Sequence, residues 1–116
     1  MSSTTFSADL EDIKFVLFEQ LDIDEKLKQI EAYRDFDQET YETMLEEAYR
    51  VAVEVLHPIN GPGDRQGCTF QGDGVVITPN GYGDAWRTMA ESGWIGMSAP
   101  QEVGGIGLPY PMVIAC

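Results

Sequence analysis

GWIGMSAPQEVGGIGLPYP, residues 93–111, places five glycines and three prolines within nineteen positions near the end of the chain. Glycine permits a positive φ and a close approach of the backbone, and proline presets extended or turn geometry. The stretch therefore predicts a corner between a helix that carries Trp86 and a last helix that begins near Pro111. The clustered glycines are predicted to be conformational residues: Gly104, Gly105 and Gly107.

The spacing of this stretch does not fit two well-known catalytic or binding loops. GGIG, residues 104–107, lacks the spacing of the phosphate-cradling G-x-G-x-x-G fingerprint, and no Lys-Ser or Lys-Thr pair follows it as in a P-loop. GMSAP, residues 96–100, has Pro100 where the nucleophile elbow G-x-S-x-G requires its last glycine. Ser98 is therefore interpreted as a turn or cap hydroxyl.

Length and charge limit the classes of function. The chain has 116 residues, which is one domain or part of one, and its net charge of -13 would repel nucleic-acid phosphates and anionic lipids. No segment approaches the roughly 18 apolar residues of a membrane span, and MSSTTFSADLED has no basic leader-like start. We expect a soluble, cytoplasmic protein with no nucleic-acid partner, no membrane insertion and two reduced thiols, Cys68 and Cys116.

The composition changes sharply at His57. All 12 glycines and all 6 prolines follow it, whereas 15 of the 20 acidic residues precede it. The first part is therefore predicted to be helical and charged, and the second part to be rich in turns. The overall prediction is a mainly α fold with a possible small β-hairpin near residues 68–78.

Apolar spacing predicts three helices in the first part. The first helix is predicted over about 9–21, where leucines and isoleucines recur three and four residues apart. A second, shorter helix carries Leu27, Ile30 and Tyr33. The third is predicted over 37–56 and begins at a cap supplied by Asp35 or Asp37. Pro58 is predicted to end the third helix, because the residue before proline avoids the helical region. Its apolar stripe is Tyr41, Met44, Leu45, Ala48, Ala52, Val55 and Leu56.

In the second part, a Gly-Asp-Gly turn separates two short apolar segments, which predicts the hairpin. Thr78 and Pro79 then predict a helix start, with the hydroxyl as a cap and proline in the first turn. This helix is expected to stop at Gly93. Its apolar face is Tyr82, Ala85, Trp86, Met89 and Ala90.

Other candidate site residues have simpler interpretations. His57 could act as an acid or base, but it lies at a predicted helix end, where the dipole favours a histidine. Trp86 and Trp94 could stack on a flat ligand, although the apolar stripe predicts core packing for Trp86. The acidic groups Asp22, Asp24 and Glu25, and Glu46 and Glu47, match no metal loop and are interpreted as a solvated face.

Three segments, in order along the chain, resemble the acyl-CoA dehydrogenase family. WIGMSAPQEVGGIGLP, residues 94–109, is similar to the proline and glycine signature of its N-terminal helical domain, and the helix over 37–56 followed by HPINGPGDRQGC is similar to its first long helix. ADLEDIKFVLFEQL, residues 8–21, resembles a short extension found in the branch with 3-methylmercaptopropionyl-CoA dehydrogenase-like proteins. The resemblance implies an extension over 1–35 and the helical domain over 36–116, incomplete at its C-terminus in a truncated chain.

The resemblance implies the N-terminal part of an FAD-dependent oxidoreductase. In this family a carboxylate base removes the α-proton of an acyl-CoA thioester while the β-hydride passes to flavin N5, which gives a 2-enoyl-CoA. The base and most of the FAD site lie in later regions, so no residue here is assigned a catalytic, cofactor-binding or metal-binding role. The 116-residue chain alone is expected to be inactive. The implied partners of the parent enzyme are an acyl-CoA substrate, an electron-transfer acceptor and further copies in a homo-oligomer.

Two alternatives stay open. The chain could be a free-standing, non-catalytic helical interaction module. It could instead be a fragment of a DNA-alkylation-response homologue in the same superfamily, whose basic surface would lie outside this acidic segment.

Overall fold

The computed structural model describes residues 5–116 and has two helical parts on either side of a hairpin. The first part begins with α1 (Leu10–Lys14), which runs directly into a π-helical segment, Phe15–Gln20. It continues with α2 (Ile23–Lys28) and a 3₁₀ turn, Glu31–Tyr33. A long helix follows, made of α3 (Gln38–Val51), a π-helical segment (Ala52–Leu56) and α4 (His57–Gln66).

The predicted hairpin and then two more helices follow the long helix. Strands β1 (Thr69–Gly72) and β2 (Val75–Ile77) pair antiparallel, with Phe70 opposite Val76. Helix α5 (Tyr82–Glu91) precedes a 3₁₀ turn, Gln101–Val103, and α6 (Tyr110–Ala115). The mainly α fold with a small hairpin is therefore confirmed. None of the helices described over 5–116 is both long enough and apolar enough to cross a bilayer.

Local signals in the first part are mostly confirmed. Asp9 caps α1 through Oδ1, which accepts from Glu11 N–H at 3.0 Å. Of the two candidate caps for α3, the structure uses Asp37, whose Oδ1 accepts from Thr40 N–H at 2.8 Å. The hydrogen bonds from the hydroxyl and N–H of Thr40 lower the pKa of Asp37. The second helix begins earlier than expected and ends at Lys28, because Ile30 is extended.

Pro58 does not end the third helix, so that prediction was wrong. Proline lacks an N–H, and its ring clashes with the carbonyl four residues earlier in a regular α-helix. The π-helical turn before it has a wider ring, in which His57 N–H donates to Ala52 O, five residues back. This turn displaces the carbonyls near Pro58, and the helix continues to Gln66.

The glycines and the proline that follow within α4, Gly61, Pro62 and Gly63, are likewise helical rather than turn residues. At Gly63 a Cβ would lie 2.4 Å from the Tyr82 ring, so this glycine allows α4 and α5 to pack closely. The predicted start of α5 at Thr78 and Pro79 was also wrong. Tyr82 N–H donates to Pro79 O at 3.2 Å and Gly81 has φ +86°, which forms a turn before the helix begins at Tyr82.

Helix α5 ends as its sequence predicts. Gly93 has φ +86°, its N–H donates to Ala90 O at 3.2 Å, and Trp94 N–H donates to Met89 O at 3.0 Å. This pair of bonds is a Schellman motif, which satisfies the last carbonyls of the helix.

The core joins three distant segments of the chain. It contains side chains from residues 17–23, from α3 and from the segment that leads into α6: Leu17, Ile23, Tyr41, Leu45, Leu108 and Met112. Lys14 adds an ion pair between the first helix and α3, because its Nζ lies 3.1 Å from Glu46 Oε1. The molecule measures 53 × 39 × 16 Å, so its core is thin and many large apolar side chains remain exposed.

Candidate functional site

An apolar groove lies between the long helix and α5, and we call it the Trp86 groove. It has a volume of about 510 Å³. Its lining is Phe6, Ala52, Leu56, His57, Ile59, Asn60, Tyr82, Ala85, Trp86, Met89 and Ile95. The π-helical turn supplies two of these residues, Ala52 and Leu56, and thereby shapes one wall.

Trp86 lines this groove instead of the core, so the core-packing prediction was wrong. Its side chain is 63% exposed, whereas neighbouring Ala85 is only 7% exposed. The apolar stripe of α5 is wider than the part of the protein that packs on it. Ala85 therefore faces the interior, whereas Trp86 lies at the open edge of the groove. An exposed indole beside aliphatic side chains can bind another apolar or flat group.

His57 belongs to the same groove and is not at a helix end. It lies where the π-helical segment passes into α4, so the helix-dipole interpretation was wrong. The other polar side chains of the lining are Asn60 and the hydroxyl of Tyr82. No serine, cysteine or carboxylate lines the groove with His57, so the described lining lacks a nucleophile or an acid–base pair.

The glycine corner spans residues 93–109 and is closed by its own backbone. Leu108 N–H donates to Met97 O at 2.8 Å, and Gly107 N–H donates to Ala99 O at 2.9 Å. The N–H groups of Gly104 and Gly105 donate to Gln101 O and Pro100 O, each at 3.0 Å. A phosphate cradle needs free N–H groups that point at the anion. The corner uses these donors internally, which explains why it is not such a cradle.

The conformational interpretation of the corner glycines is confirmed by their geometry. Gly104 and Gly107 have φ values of +87° and +73°, in the region that favours glycine. Gly105 is different, because an added Cβ would lie 1.9 Å from the carbonyl oxygen of Ala99. Backbone geometry therefore determines the residue type at all three positions.

A second, more polar groove lies between residues 32–40 and the corner and has a volume of about 590 Å³. Ser98, Asp35 and Glu102 lie along it, together with Thr40 and Tyr33. Histidine is absent from its described lining, so Ser98 lacks the imidazole partner of a serine–histidine pair there. The interpretation of Ser98 as an ordinary polar residue of the corner agrees with this position.

Several acidic residues of the first part form ion pairs, but Asp24 is part-buried, so the solvated-face interpretation was wrong for this residue. Lys28 Nζ lies 2.9 Å from Asp24 Oδ2, and Arg50 pairs with both Glu47 and Glu54. The hydrogen bond from Arg50 lowers the pKa of Glu47. Within residues 5–116, the structure contains no group of three or more metal-ligating side chains.

Sequence patterning missed two buried polar atoms that have no hydrogen-bond partner among the described residues, Asp24 Oδ1 and the hydroxyl of Tyr41. Tyr41 was assigned to the apolar stripe of α3, and its side chain is fully buried, but its hydroxyl has no hydrogen-bond partner among the described residues. Burial, with a smaller contribution from the charge of Asp24, raises the pKa of Tyr41 to about 12. Phe36 and Phe18 stack on its ring, with centroids at 5.7 and 6.5 Å. This hydroxyl is a structural feature of the core and faces neither groove lining described above.

Comparison with known proteins identifies the family. The sequence model described as "Acyl-CoA dehydrogenase, N-terminal domain" matches residues 38–116, which is more than half of the chain. The chain belongs to the acyl-CoA dehydrogenase family. The matched part of this N-terminal domain runs from the start of α3 through the Trp86 groove, the hairpin and the glycine corner.

Two similar proteins are acyl-CoA dehydrogenases by name. The 3-methylmercaptopropionyl-CoA dehydrogenase of Ruegeria pomeroyi is 31% identical over 105 residues, which cover 90% of this chain and 18% of that protein. The butyryl-CoA dehydrogenase of Syntrophomonas wolfei subsp. wolfei is 33% identical over 96 residues, which cover 80% of this chain and 16% of that protein. This chain therefore spans less than a fifth of the length of either relative.

Both matches extend ahead of the acyl-CoA dehydrogenase N-terminal domain. Residues 38–116 cannot contain either 105 or 96 matched residues, so part of the segment before position 38 is also shared. That segment includes Leu17 and Ile23, which lie in the same core as Tyr41 and Leu45 of α3. The likeness to the branch with 3-methylmercaptopropionyl-CoA dehydrogenase, expected from residues 8–21, is confirmed.

Proposed function

We propose that this chain is the N-terminal part of an FAD-dependent acyl-CoA dehydrogenase that converts an acyl-CoA thioester to its 2-enoyl-CoA. The observation that carries the proposal is the family match over residues 38–116. The two relatives named after acyl-CoA substrates support the substrate class. We further propose that residues 1–35 are an extension, that 36–116 are the helical domain, and that this domain closes part of the acyl pocket.

We propose that this chain does not supply the FAD site, and the described grooves and the glycine corner support this. The pyrophosphate of FAD requires N–H donors or cationic side chains. The corner glycines use their N–H groups internally, the Trp86 groove has no lysine or arginine in its described lining, and the polar groove contains Asp35 and Glu102. FAD and the catalytic base are therefore assigned to regions of the parent enzyme outside this chain, and no chemical step is assigned to residues here.

The proposal includes an oligomeric parent enzyme in a reducing compartment, consistent with the cytoplasmic expectation. Cys68 and Cys116 are free and exposed, and a reducing compartment would keep such thiols unpaired. An electron-transfer acceptor is proposed as the second partner of the parent, because reduced flavin must be reoxidised in each cycle.

A domain replacement tests the proposed function. The segment of the Ruegeria pomeroyi relative that matches this chain is replaced by residues 1–116, and flavin content and dye reduction with 3-methylmercaptopropionyl-CoA are measured. We expect an FAD-loaded, active chimaera, because the inserted domain would supply the same packing surfaces. A matched chimaera with Gly105→Ala is expected to lose activity together with folding, since the corner cannot close.

The outcomes separate the proposal from the alternatives. A soluble, folded chimaera that binds FAD but does not oxidise acyl-CoA would contradict the assigned role of this domain in the acyl pocket. The isolated 116-residue chain is expected to show neither flavin absorbance nor acyl-CoA-dependent dye reduction. Activity of that chain alone would contradict the assignment of the base and FAD site to other regions.

A further inference from the structure

The chain contains two asparagine–glycine pairs, Asn60–Gly61 and Asn80–Gly81. In such a pair the glycine has no side chain to shield its backbone nitrogen, which can attack the side-chain carbonyl carbon of the asparagine. Both asparagines are exposed to solvent. The two pairs differ in the backbone that holds them, so the structure distinguishes them where the dipeptide sequence does not.

The first pair, Asn60–Gly61, lies inside α4. In an α-helix each backbone N–H donates to the carbonyl four residues earlier, so the nitrogen of Gly61 is engaged in the helix. Closing a five-membered ring between this nitrogen and the side chain of Asn60 requires a backbone rotation that breaks these hydrogen bonds. Attack at Asn60 therefore has to wait until α4 opens locally.

The second pair, Asn80–Gly81, lies in the turn between β2 and α5. The turn is closed by a hydrogen bond from Tyr82 N–H to Pro79 O at 3.2 Å, which is at the long end of the usual range. Asn80 N–H donates to Gln66 Oε1 at 3.0 Å. The N–H of Gly81 makes no hydrogen bond to any residue within 5–116. The attacking nitrogen is therefore free, and the turn offers less resistance to rotation than a helix.

We propose that Asn80 is a site of spontaneous deamidation, whereas α4 protects Asn60. The backbone nitrogen of Gly81 attacks Cγ of Asn80, so the N–Cγ bond forms and the Cγ–Nδ2 bond breaks. Nδ2 leaves as ammonia and takes up the proton that the Gly81 N–H loses, which leaves a succinimide ring. Water then opens the ring at either carbonyl carbon. One product is aspartate, and the other is isoaspartate, in which the main chain runs through the side-chain carbons.

The isoaspartate product changes how α5 sits on α4. It adds one carbon atom to the main chain directly before Gly81. This glycine has little room to move, because a Cβ there would lie 2.8 Å from Cγ2 of Ile59. Ile59 lines the Trp86 groove. Deamidation at position 80 therefore displaces the start of α5 and alters one wall of that groove.

Peptide mapping of the natural protein, with residues 1–116 in their native context, tests the proposal. Cleavage after arginine places the two asparagines in separate peptides, 51–65 and 66–87. Deamidation replaces an amide by an acid, which mass spectrometry detects, and fragment ions assign the change to Asn80 or Asn60. In the native protein at neutral pH, Asn80 should convert about tenfold faster than Asn60 or more, because opening a helix breaks several hydrogen bonds.

The same protein unfolded in urea is the matched control, because neither pair then has a fixed backbone and both should convert at similar rates. Equal rates at Asn60 and Asn80 in the native protein would overturn the proposal. A difference in urea as large as in the native protein would also overturn it, because the difference would then come from the neighbouring sequence and not from α4. The measurement needs neither FAD nor acyl-CoA, so its outcome does not depend on the proposed function.

Discussion

Gly105→Ala is expected to cause the largest loss of stability among alanine substitutions in the glycine corner. A Cβ at this position would lie 1.9 Å from the Ala99 carbonyl oxygen and 2.4 Å from the carbonyl carbon. Both neighbours are backbone atoms, so no side-chain rotation can relieve the overlap. The corner must open, and two hydrogen bonds resist this movement: Gly107 N–H to Ala99 O at 2.9 Å and Gly105 N–H to Pro100 O at 3.0 Å.

The expected magnitude follows from these contacts. Loss of the two hydrogen bonds costs about 1 kcal/mol each, and displacement of packed atoms adds about 1–3 kcal/mol. The free energy of unfolding should therefore fall by about 3–5 kcal/mol, a large share of the roughly 5–15 kcal/mol that holds a domain together. With a urea dependence of about 2 kcal/mol per molar, the unfolding midpoint should fall by about 1.5–2.5 M.

Two companion variants make the measurement decisive. Gly104→Ala has no atom within 4 Å of the new Cβ but keeps φ +87°, so only backbone strain of about 1–2 kcal/mol is expected. Gly96→Ala is the control, because its Cβ meets no atom within 4 Å and its φ is not in the left-handed region. Urea unfolding followed by circular dichroism gives all three values. A Gly105→Ala protein within about 0.5 kcal/mol of Gly96→Ala would refute the reasoning.

Three further predictions concern the core and the Trp86 groove. Burial raises the pKa of Tyr41 from 10 to about 12, so the stability that its neutral form confers is complete below pH 10 and is lost as the pH rises to 12. Tyr41→Phe should remove this loss when urea unfolding is measured as a function of pH. Identical pH profiles of the two proteins would contradict this prediction. Trp86→Ala should cost less than about 1 kcal/mol because the indole is exposed, whereas a loss near 3 kcal/mol would mean core burial. Ile23→Ala should lower the free energy of unfolding by about 2–5 kcal/mol, because Ile23 is buried in the core. Leu21→Ala, at an exposed position, should lower it by less than about 1 kcal/mol. Equal losses of stability in the two variants would contradict the shared core.

Short-range sequence signals predicted the elements whose causes are also short-range. The Gly-Asp-Gly turn gave the hairpin, Asp37 was among the predicted caps, and Gly93 marked the end of α5. Pro58 failed as a stop signal because its effect depends on the preceding turn. A π-helical turn over Ala52–Leu56 accommodates the ring, and nothing in the apolar spacing distinguishes that turn from a regular one.

The candidate site was less predictable because burial depends on what packs against a helix. The stripe of α5 correctly shows that Ala85 and Trp86 share a side of the helix, but it does not show where the covering surface ends. In a molecule 16 Å thick, that surface ends between them, and Trp86 is left at the edge of a groove. His57 was misplaced for a related reason, since its interpretation depended on a helix end that the structure does not have.

The backbone geometry of the glycine corner accounts for its residue types. The Ala99 carbonyl excludes any side chain at Gly105, and positive φ values favour glycine at Gly104 and Gly107. These constraints come from the backbone alone. The same geometry uses the N–H groups that could have bound a phosphate. The segment is therefore constrained by the fold through its backbone geometry.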